Sequence, residues 1–506
     1  MTEARSDSRV EREAKFSTWP GFVLPDLDRV LPSVSAGARA EIPLDATYWD
    51  TPDLRLIRWG TSVRYRTEAG RGMWTVKLPG KAEGGVLARP EHDIAGSPNE
   101  IPAAALDLIR GYARTAPLAP VARLQTMRRR APLFDPRGHR IAEVADDEVS
   151  VLDGERVAAR FREVELEVTA EAPHHLLPAL IERLRAAGAG EPDPTPKLVR
   201  ALGPRALAPP ELVAPAVTAA SPVGEVARAA ITTAVIRIIE HDALVRQDSK
   251  PEGVHQARVG PRRLRSDLRT FISIFDAEWV AGLRGDLRSL ADALGHVRDA
   301  DVMLTRLKHA SSALDPQDWP AAESVRSRLA RQRAAQRQAL DDVYGSEEYL
   351  QLLDRLVDAA AAPRFVEAAQ VPAAQALPGI VQRPWNHLVK AVGELGDEVD
   401  HDHLHEIRIR AKRVRYAAEA ATLAIPDAEP MARTAAAIQD VLGEQHDAIV
   451  AARWLRDVAS TNVTRAEALV CGLLIAAEHR DAEELVKQWP DAWDAASKRK
   501  VRKWLG

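Results

Sequence analysis

The chain has 506 residues, 46% of them hydrophobic and 28% charged, with a formal net charge of -4. That length exceeds one ordinary core, so two or three globular domains are expected, and the near balance of charge excludes a polycation: any polyanion site must come from local clustering. The single cysteine, Cys471, excludes an internal disulfide and a cysteine-based zinc centre and points to a reducing, cytoplasmic setting.

The opening segment MTEARSDSRVEREAKF is charged and has no apolar core, so no secretory signal is expected. From about residue 8 to 202, short alternating runs are broken by Gly and Pro: VEREAKF, SVRYRTEAGRGMWTVKL, HRIAEVADDEVSVLDG and FREVELEV. Period two predicts half-buried antiparallel strands, and AEAPHHLLPALIERLRAAG predicts a helix packed on that sheet and ending at Gly188. In VEREAKF, Glu11, Glu13 and Lys15 share one strand face. Arg64 with Arg66, Arg89 with Glu91 and Asp93, and Glu163 with Glu165 and Glu167 repeat the arrangement, and Val164, Leu166 and Val168 lie opposite the last trio. Such a sheet either turns its charged side to water or closes around a charged ligand, and alternation alone leaves both open. The mixture of signs suits a metal–triphosphate complex, because carboxylates hold hard divalent cations while Arg and Lys hold phosphate oxygens.

Residues 203–221 are rich in Pro and Ala without a period and read as a semi-rigid linker. Over 222–506 Ala, Leu, Arg and Glu dominate at helical spacing, and a second Pro/Ala-rich stretch, AAAPRFVEAAQVPAAQALP, divides this region into halves of about 222–362 and 379–506. The longest apolar run near the C-terminus, Ala468 to Ala477, is too short to span a bilayer, so a soluble protein is expected.

The helical region carries an internal repeat. VHQARVGPRRLR at 254–265 aligns with LHEIRIRAKRVR at 404–415, and LGHVRDADV at 294–302 aligns with LGEQHDAIV at 442–450. Two motifs in the same order at nearly the same spacing indicate duplication. On a helix, His255, Arg258, Arg262, Arg265 and Arg269 fall on one face, as do His405, Arg408, Lys412 and Arg415 in the second copy. Cations this close repel one another unless an anion lies among them, and guanidinium forks match phosphate oxygens two at a time. The plainer alternative is a solvated basic face. Gly260-Pro261 interrupts the first stripe, so that helix is expected to kink or to begin near Pro261. HDHLH at 401–405 places two histidines one turn apart, but His405 fits the basic stripe better than a metal site.

Together VHQARVGPRRLRSDLRTF, LGHVRDADVML, LHEIRIRAKRVRYAAE and IQDVLGEQHDAIV resemble the conserved-histidine α-helical domain, CHAD, over about 222–506. The resemblance implies a pseudo-symmetric pair of helical bundles whose basic surface binds inorganic polyphosphate. His255, Arg258, Arg262, Arg265, Arg269, His405, Arg408, Lys412 and Arg415 would line that surface, Arg263, Arg410 and Arg413 would flank it, and Asp299 and Asp447 would orient the cations.

Glu11-x-Glu13-x-Lys15, followed in order by YWDTPDLRL, VRYRTEAGRGMWTVKLPG, RPEHD, EVADDEVSV, EVELEV and PKLVRAL, is similar to the CYTH family of triphosphate tunnel metalloenzymes. That resemblance implies an eight-stranded antiparallel barrel over 8–202 that hydrolyses a triphosphate with Mg²⁺ or Mn²⁺. Glu11 and Glu13, with Glu163, Glu165 and Asp146 on the opposite wall, would ligate metal, and Glu91 would sit on the acidic side. Lys15, Arg64, Arg66, Lys77, Arg89, Arg128, Arg130 and Lys197 would contact the phosphates, with Glu11, Glu13 and Lys15 as the catalytic signature. Pro196 stands where the family has a small hydroxyl residue, and Asp93 where a glutamate is common.

The expected fold is thus α+β multidomain: an N-terminal antiparallel β-barrel with flanking helices, then an all-α duplicated helical bundle. The expected function is a metal-dependent triphosphatase joined to a polyphosphate-binding domain, cytoplasmic and associated with polyphosphate bodies. An idle tunnel on a polyphosphate-targeting protein is the alternative. A nucleic-acid binder is the weakest reading, since the basic helices carry few aromatics for base stacking.

Overall fold

The computed structural model describes residues 7–83, 86–248, 251–395 and 400–506, those at 7–11 and 81–83 as backbone only. The chain forms two compact units, one ending at Glu211 and the other beginning at Leu212. No described helix is long and apolar enough to cross a membrane.

Eight strands, with two short ones paired at their margins, build the barrel of the first unit: β1 (Asp7–Ser17), β2 (Ala40–Asp50), β3 (Ser62–Glu68), β4 (Arg71–Lys77), β5 (Val86–Ile94), β6 (Ala119–Phe134), β7 (Arg140–Asp153) and β8 (Arg156–Val168). Neighbours are antiparallel in the order β1-β8-β7-β6-β2-β3-β4-β5, and β5 pairs back onto β1, with Glu11 opposite Arg89. The sheet is therefore a closed barrel. Successive side chains of a strand point to opposite faces, so closure sends one set inward. Val164, Leu166 and Val168 go outward, where they join Ala14, Phe16 and Val144 under helix α2 (Leu176–Ala186; α1 is Ala103–Ala113). Leu176, Leu180 and Leu184 of α2 are fully buried on them. The acidic face of β8 is left to the lumen. A short helix, α3 (Lys197–Leu202), plugs part of that lumen: its Leu198 and Val199 pack on Ala46, Leu124, Val149 and Val151.

The first part of the 203–221 stretch is anchored on the barrel unit. Residues Gly203–Leu207 form a 3₁₀ turn, Arg58 Nε donates to the Pro209 carbonyl at 2.8 Å, and Glu211 accepts from Trp59 Nε1 at 2.9 Å and from the buried Arg114 at 2.5 Å.

The second unit is helical: α4 (Val223–Glu240), α5 (Pro251–Thr270), α6 (Ala277–Ser311), α7 (Trp319–Gly345), α8 (Glu347–Ala361), α9 (Ala373–Gly393), α10 (His401–Ala421), α11 (Glu429–Ala459), α12 (Arg465–Val486) and α13 (Trp489–Ser497). The two halves meet reciprocally. The Val223 N–H donates to the Val371 carbonyl at 2.8 Å and the Ala373 N–H to the Ser221 carbonyl at 2.8 Å, and these pairs are related by the same offset that relates His255 to His405. The two motif helices, α5 and α10, pack against each other.

Helix α5 is unbroken from Pro251 to Thr270, with Pro261 inside it, so His255 stays in line with the arginines. The expected interruption does not occur because Gly260 and Pro261 are both buried against α4, whose packing holds the turn that proline weakens. Gly260 is what allows that approach: a Cβ there would lie 2.6 Å from Ile238 Cγ1 and 3.2 Å from the Ile238 nitrogen. Gly260→Val is accordingly expected to destabilise the helical unit by about 1–3 kcal/mol through overpacking, read as a lowered denaturation midpoint with the barrel transition unchanged.

Candidate functional site

Cross-strand pairing assembles the barrel site. Lys15 lies opposite Glu165 on β8, Glu163 opposite Asp147 on β7, Asp147 opposite Arg128 on β6, and Lys77 opposite Glu91 on β5. Residues directly opposite share a face, so all of these point into the lumen. They enclose a cavity of about 150 Å³, and all eight cations expected to meet phosphate line it: Lys15, Arg64, Arg66, Lys77, Arg89, Arg128, Arg130 and Lys197. Tyr48, Arg140, Glu143 and Glu167, which the sequence reading did not assign, line it too. Pro196 sits at its wall, ahead of Lys197, and Asp93 accepts from the Thr75 hydroxyl at 2.9 Å.

The lumen holds its charges in a lattice. Lys15 Nζ is 3.1 Å from Glu165 and 3.3 Å from Glu13, and Arg89 bonds Glu13 at 2.8 Å. Lys197 Nζ meets Asp147 at 2.8 Å, Glu163 at 2.7 Å and Glu165 at 2.8 Å, while Arg128 bridges Asp147 and Glu165. Burial alone would neutralise these groups. Burial pulls up the carboxyls of Glu13 and Glu165, but Lys15, Lys77 and Arg89 around the first and Lys197, Lys15 and Arg128 around the second outweigh it and hold both below the usual range. Burial likewise pulls Lys197 down, and Asp147, Glu163 and Glu165 more than reverse it. Glu13, Glu165 and Lys197 are therefore held in their charged forms at neutral pH.

Asp146, expected among the metal ligands, lies on the outer face of β7. Its carboxylate is bidentate with Arg162, at 2.8 and 2.7 Å, and the adjacent Asp147 takes the inner face. The correction is one residue of register, and the signal was available: Glu143 and Asp147 share the parity that pairs with Glu163 and Glu167. Glu13 and Glu163 are buried behind the cations rather than exposed to the cavity, and the Glu11 side chain lies outside the described residues. Oxygen donors suited to a hard divalent ion are present, but among the described residues no three carboxylates or imidazoles converge on one point.

The helical unit places the two basic stripes side by side. Arg258, Arg262, Arg265 and Arg269 of α5 and Lys412 and Arg413 of α10 line a groove of about 480 Å³, joined by Arg284, Arg383 and His387 and by one carboxylate, Asp292. The repeat recurs in detail. The Arg258 guanidinium runs over Gly295 and bonds Asp299 at 3.0 Å, and Arg408 runs over Gly443 beside Asp447. The leading histidines lie outside the groove lining. His405 Nδ1 is 3.1 Å from His446 Nδ1, so one ring donates to the other, and His401 meets Gln445 at 2.8 Å rather than sharing an ion with His405. Burial and the neighbouring Arg408 pull His446 down to about 4. His255 faces Arg298, the counterpart of His446.

Besides Arg258, three more of the expected cations are already engaged. Arg263 bonds Asp267 and Glu419, Arg415 bonds Glu419 at 2.7 Å, and Arg410 bonds Glu406 at 2.5 Å. Arg262 and Arg263 also lie over the Tyr416 ring.

A CYTH domain is matched over residues 11–197 and a CHAD domain over residues 229–456. The chain belongs to the CYTH–CHAD two-domain proteins. It is 31% identical, over 96% of both chains, to the uncharacterized protein Rv2226 of Mycobacterium tuberculosis. Among solved structures it is similar to the CHAD domain from Ricinus communis (26% identity, 58% of this chain and 95% of that one, TM-score 0.43). It is also similar to the Hippeastrum protein HpAC1, which shows a dominant triphosphatase activity (16% identity, 38% of this chain and 98% of that one, TM-score 0.26). CYTH tunnel proteins are metal-dependent and include triphosphatases and adenylate-cyclase-like proteins.

Lys412 is the electrostatic extreme of the CHAD unit. Burial, and then Arg262, Arg408, Arg258 and Arg265, bring its ammonium down to about 7, against about 10.4 for a free lysine. The unfolded chain thus binds more protons than the folded one between those values, and stability of the ligand-free unit rises with pH through that window. Lys412→Met should raise the thermal midpoint of the ligand-free chain by a few degrees at pH 7, with the gain shrinking towards pH 10, as followed by calorimetry.

Proposed function

We propose that the CYTH unit hydrolyses inorganic tripolyphosphate or a related triphosphate with Mg²⁺ or Mn²⁺, and that the CHAD unit binds inorganic polyphosphate. The observation that carries the first half is the closed lumen in which nine lysines and arginines share one cavity with carboxylates, Glu165 among them held in its ionised form. Phosphate oxygens entering that lumen would take over Lys15, Lys197, Arg89 and Arg128, releasing Glu13, Glu163, Glu165 and Asp147 from their present pairs. Those carboxylates would then hold the divalent ion, which when bound supplies charge neutralisation and an activated water. Arg64, Arg66 and Lys77 keep the far end of the chain, so charge developing on the leaving pyrophosphate meets preorganised cations rather than water. A binding-only tunnel is the second reading, favoured by the ion pairs that already occupy these carboxylates.

The purified protein should release phosphate from tripolyphosphate with Mg²⁺ or Mn²⁺ and lose about a hundredfold or more of that rate in Glu13→Gln or Glu165→Gln, a typical cost for removing one group that acts in the transition state. Absence of release across a metal, pH and triphosphate series, with the fold intact, would establish the idle tunnel instead.

For the CHAD unit, the supporting observation is Lys412 held near neutrality among arginines, a group that a polyanion would recharge. Polyphosphate should bind the full chain with a steep salt dependence and should take up a proton above pH 7, so affinity falls as pH rises past that point. Replacing Arg408, Lys412 and Arg415 together by alanine should remove most of the affinity. Titrations in parallel with single-stranded nucleic acid test the weaker alternative.

A further inference from the structure

The two halves of the CHAD unit are equivalent in fold but unequal in charge. Extending the repeat along the motif helices pairs Arg269 with Glu419 and Asp267 with Ala417. Along α6 and α11, Arg284 pairs with Ala432, and along α4 and α9, Arg383 pairs with Thr233. On one side of the α5–α10 crossing, Arg263 and Arg415 are thus tied down by Asp267 and Glu419. On the other side their counterparts, Arg413 and Arg265, have no ion pair among the described residues, and they are joined by three further arginines with no cationic counterpart. The Nε atoms of Arg284 and Arg413 are buried without a hydrogen-bond acceptor. Burial, and then the neighbouring arginines, depress the Arg284, Arg269 and Arg413 guanidiniums.

Crowding unpaired guanidiniums together, two of them with their Nε atoms buried, is costly, and fewer of them would serve a symmetric central face equally well. We infer that the phosphate chain leaves the central face on one side only, along the groove built by Arg265, Arg269, Arg284, Arg383 and Arg413. The bound chain has an off-centre footprint that extends beyond the two stripes. The inference rests on the polyphosphate reading and deepens it: the ligand is a chain long enough to reach past the crossing, and short phosphates use only the centre. The closing side is self-neutralised and offers the chain no exit.

The test uses the full-length protein and inorganic polyphosphates of graded length. Arg284 is half-buried and Arg383 exposed, so the double variant Arg284→Ala with Arg383→Ala should fold. It should bind short chains as the wild type does, lose about tenfold or more for long chains, and lower the slope of log affinity against log salt by about two, one per phosphate contact removed. A variant with the same charge loss elsewhere on the helical unit, Arg326→Ala with Arg355→Ala, should leave both lengths unaffected. Unchanged long-chain binding in the groove variant, or an equal loss for short and long chains, overturns the one-sided exit while leaving polyphosphate binding in place. Failure of the wild type to bind any polyphosphate overturns both.

Discussion

Burying charge dominates this molecule, and its two units resolve the cost in opposite ways. A cation withdrawn from water must find an anion or move towards neutrality. In the barrel the anions are supplied by the protein: Glu13, Asp147, Glu163 and Glu165 are interleaved with Lys15, Arg128 and Lys197 within ion-pair distance. On the helical unit one groove gathers many cations around a single carboxylate, Asp292, and burial with that crowding brings the Lys412 ammonium down to about 7. One site is prepaired and must exchange partners when a ligand enters. The other is incomplete, and a polyanion would complete it.

The scaffolds follow from that difference. Interleaving opposite charges within hydrogen-bonding distance requires opposite residues fixed on several strands, which a closed antiparallel barrel provides. Its outer face can then be apolar and be covered by α2, while α3 turns Leu198 and Val199 onto the barrel wall and delivers Lys197 to the charged part. Presenting cations along a line needs only a helix face, and doubling the line needs two helices in contact. The close approach at Gly260 seats α5 on α4 within the first half, and the reciprocal backbone bonds around Pro222 and Pro372 tie the duplicated halves together.

Duplication also gave the second unit room to diverge. The Arg–Gly–Asp arrangement, Arg258 with Gly295 and Asp299 and Arg408 with Gly443 and Asp447, survives in both copies. Departures gather at the ends of the motif helices, where Glu419 replaces a cation and Asp267 replaces an alanine. Both acids quench the same side. Arg263 and Arg413 are equivalent in sequence, but Arg263 meets Asp267 on its own helix and Glu419 across the helix crossing, and Arg413 faces the groove.

Period-two alternation, the repeated basic stripes and the ordered family motifs determined the two kinds of fold and most of the charged residues, because strand and helix periodicity act over a few neighbours. Closure of the sheet, continuity of α5 through Pro261, and the placing of Arg284 and Arg383 in the groove were decided only in three dimensions. Each depends on a contact between separate elements of the chain: β1 with β5, Gly260 with α4, and α6 and α9 with the motif helices. A local pattern fixes which residues share a face, but which face is enclosed, and which charges find partners across it, is settled by packing.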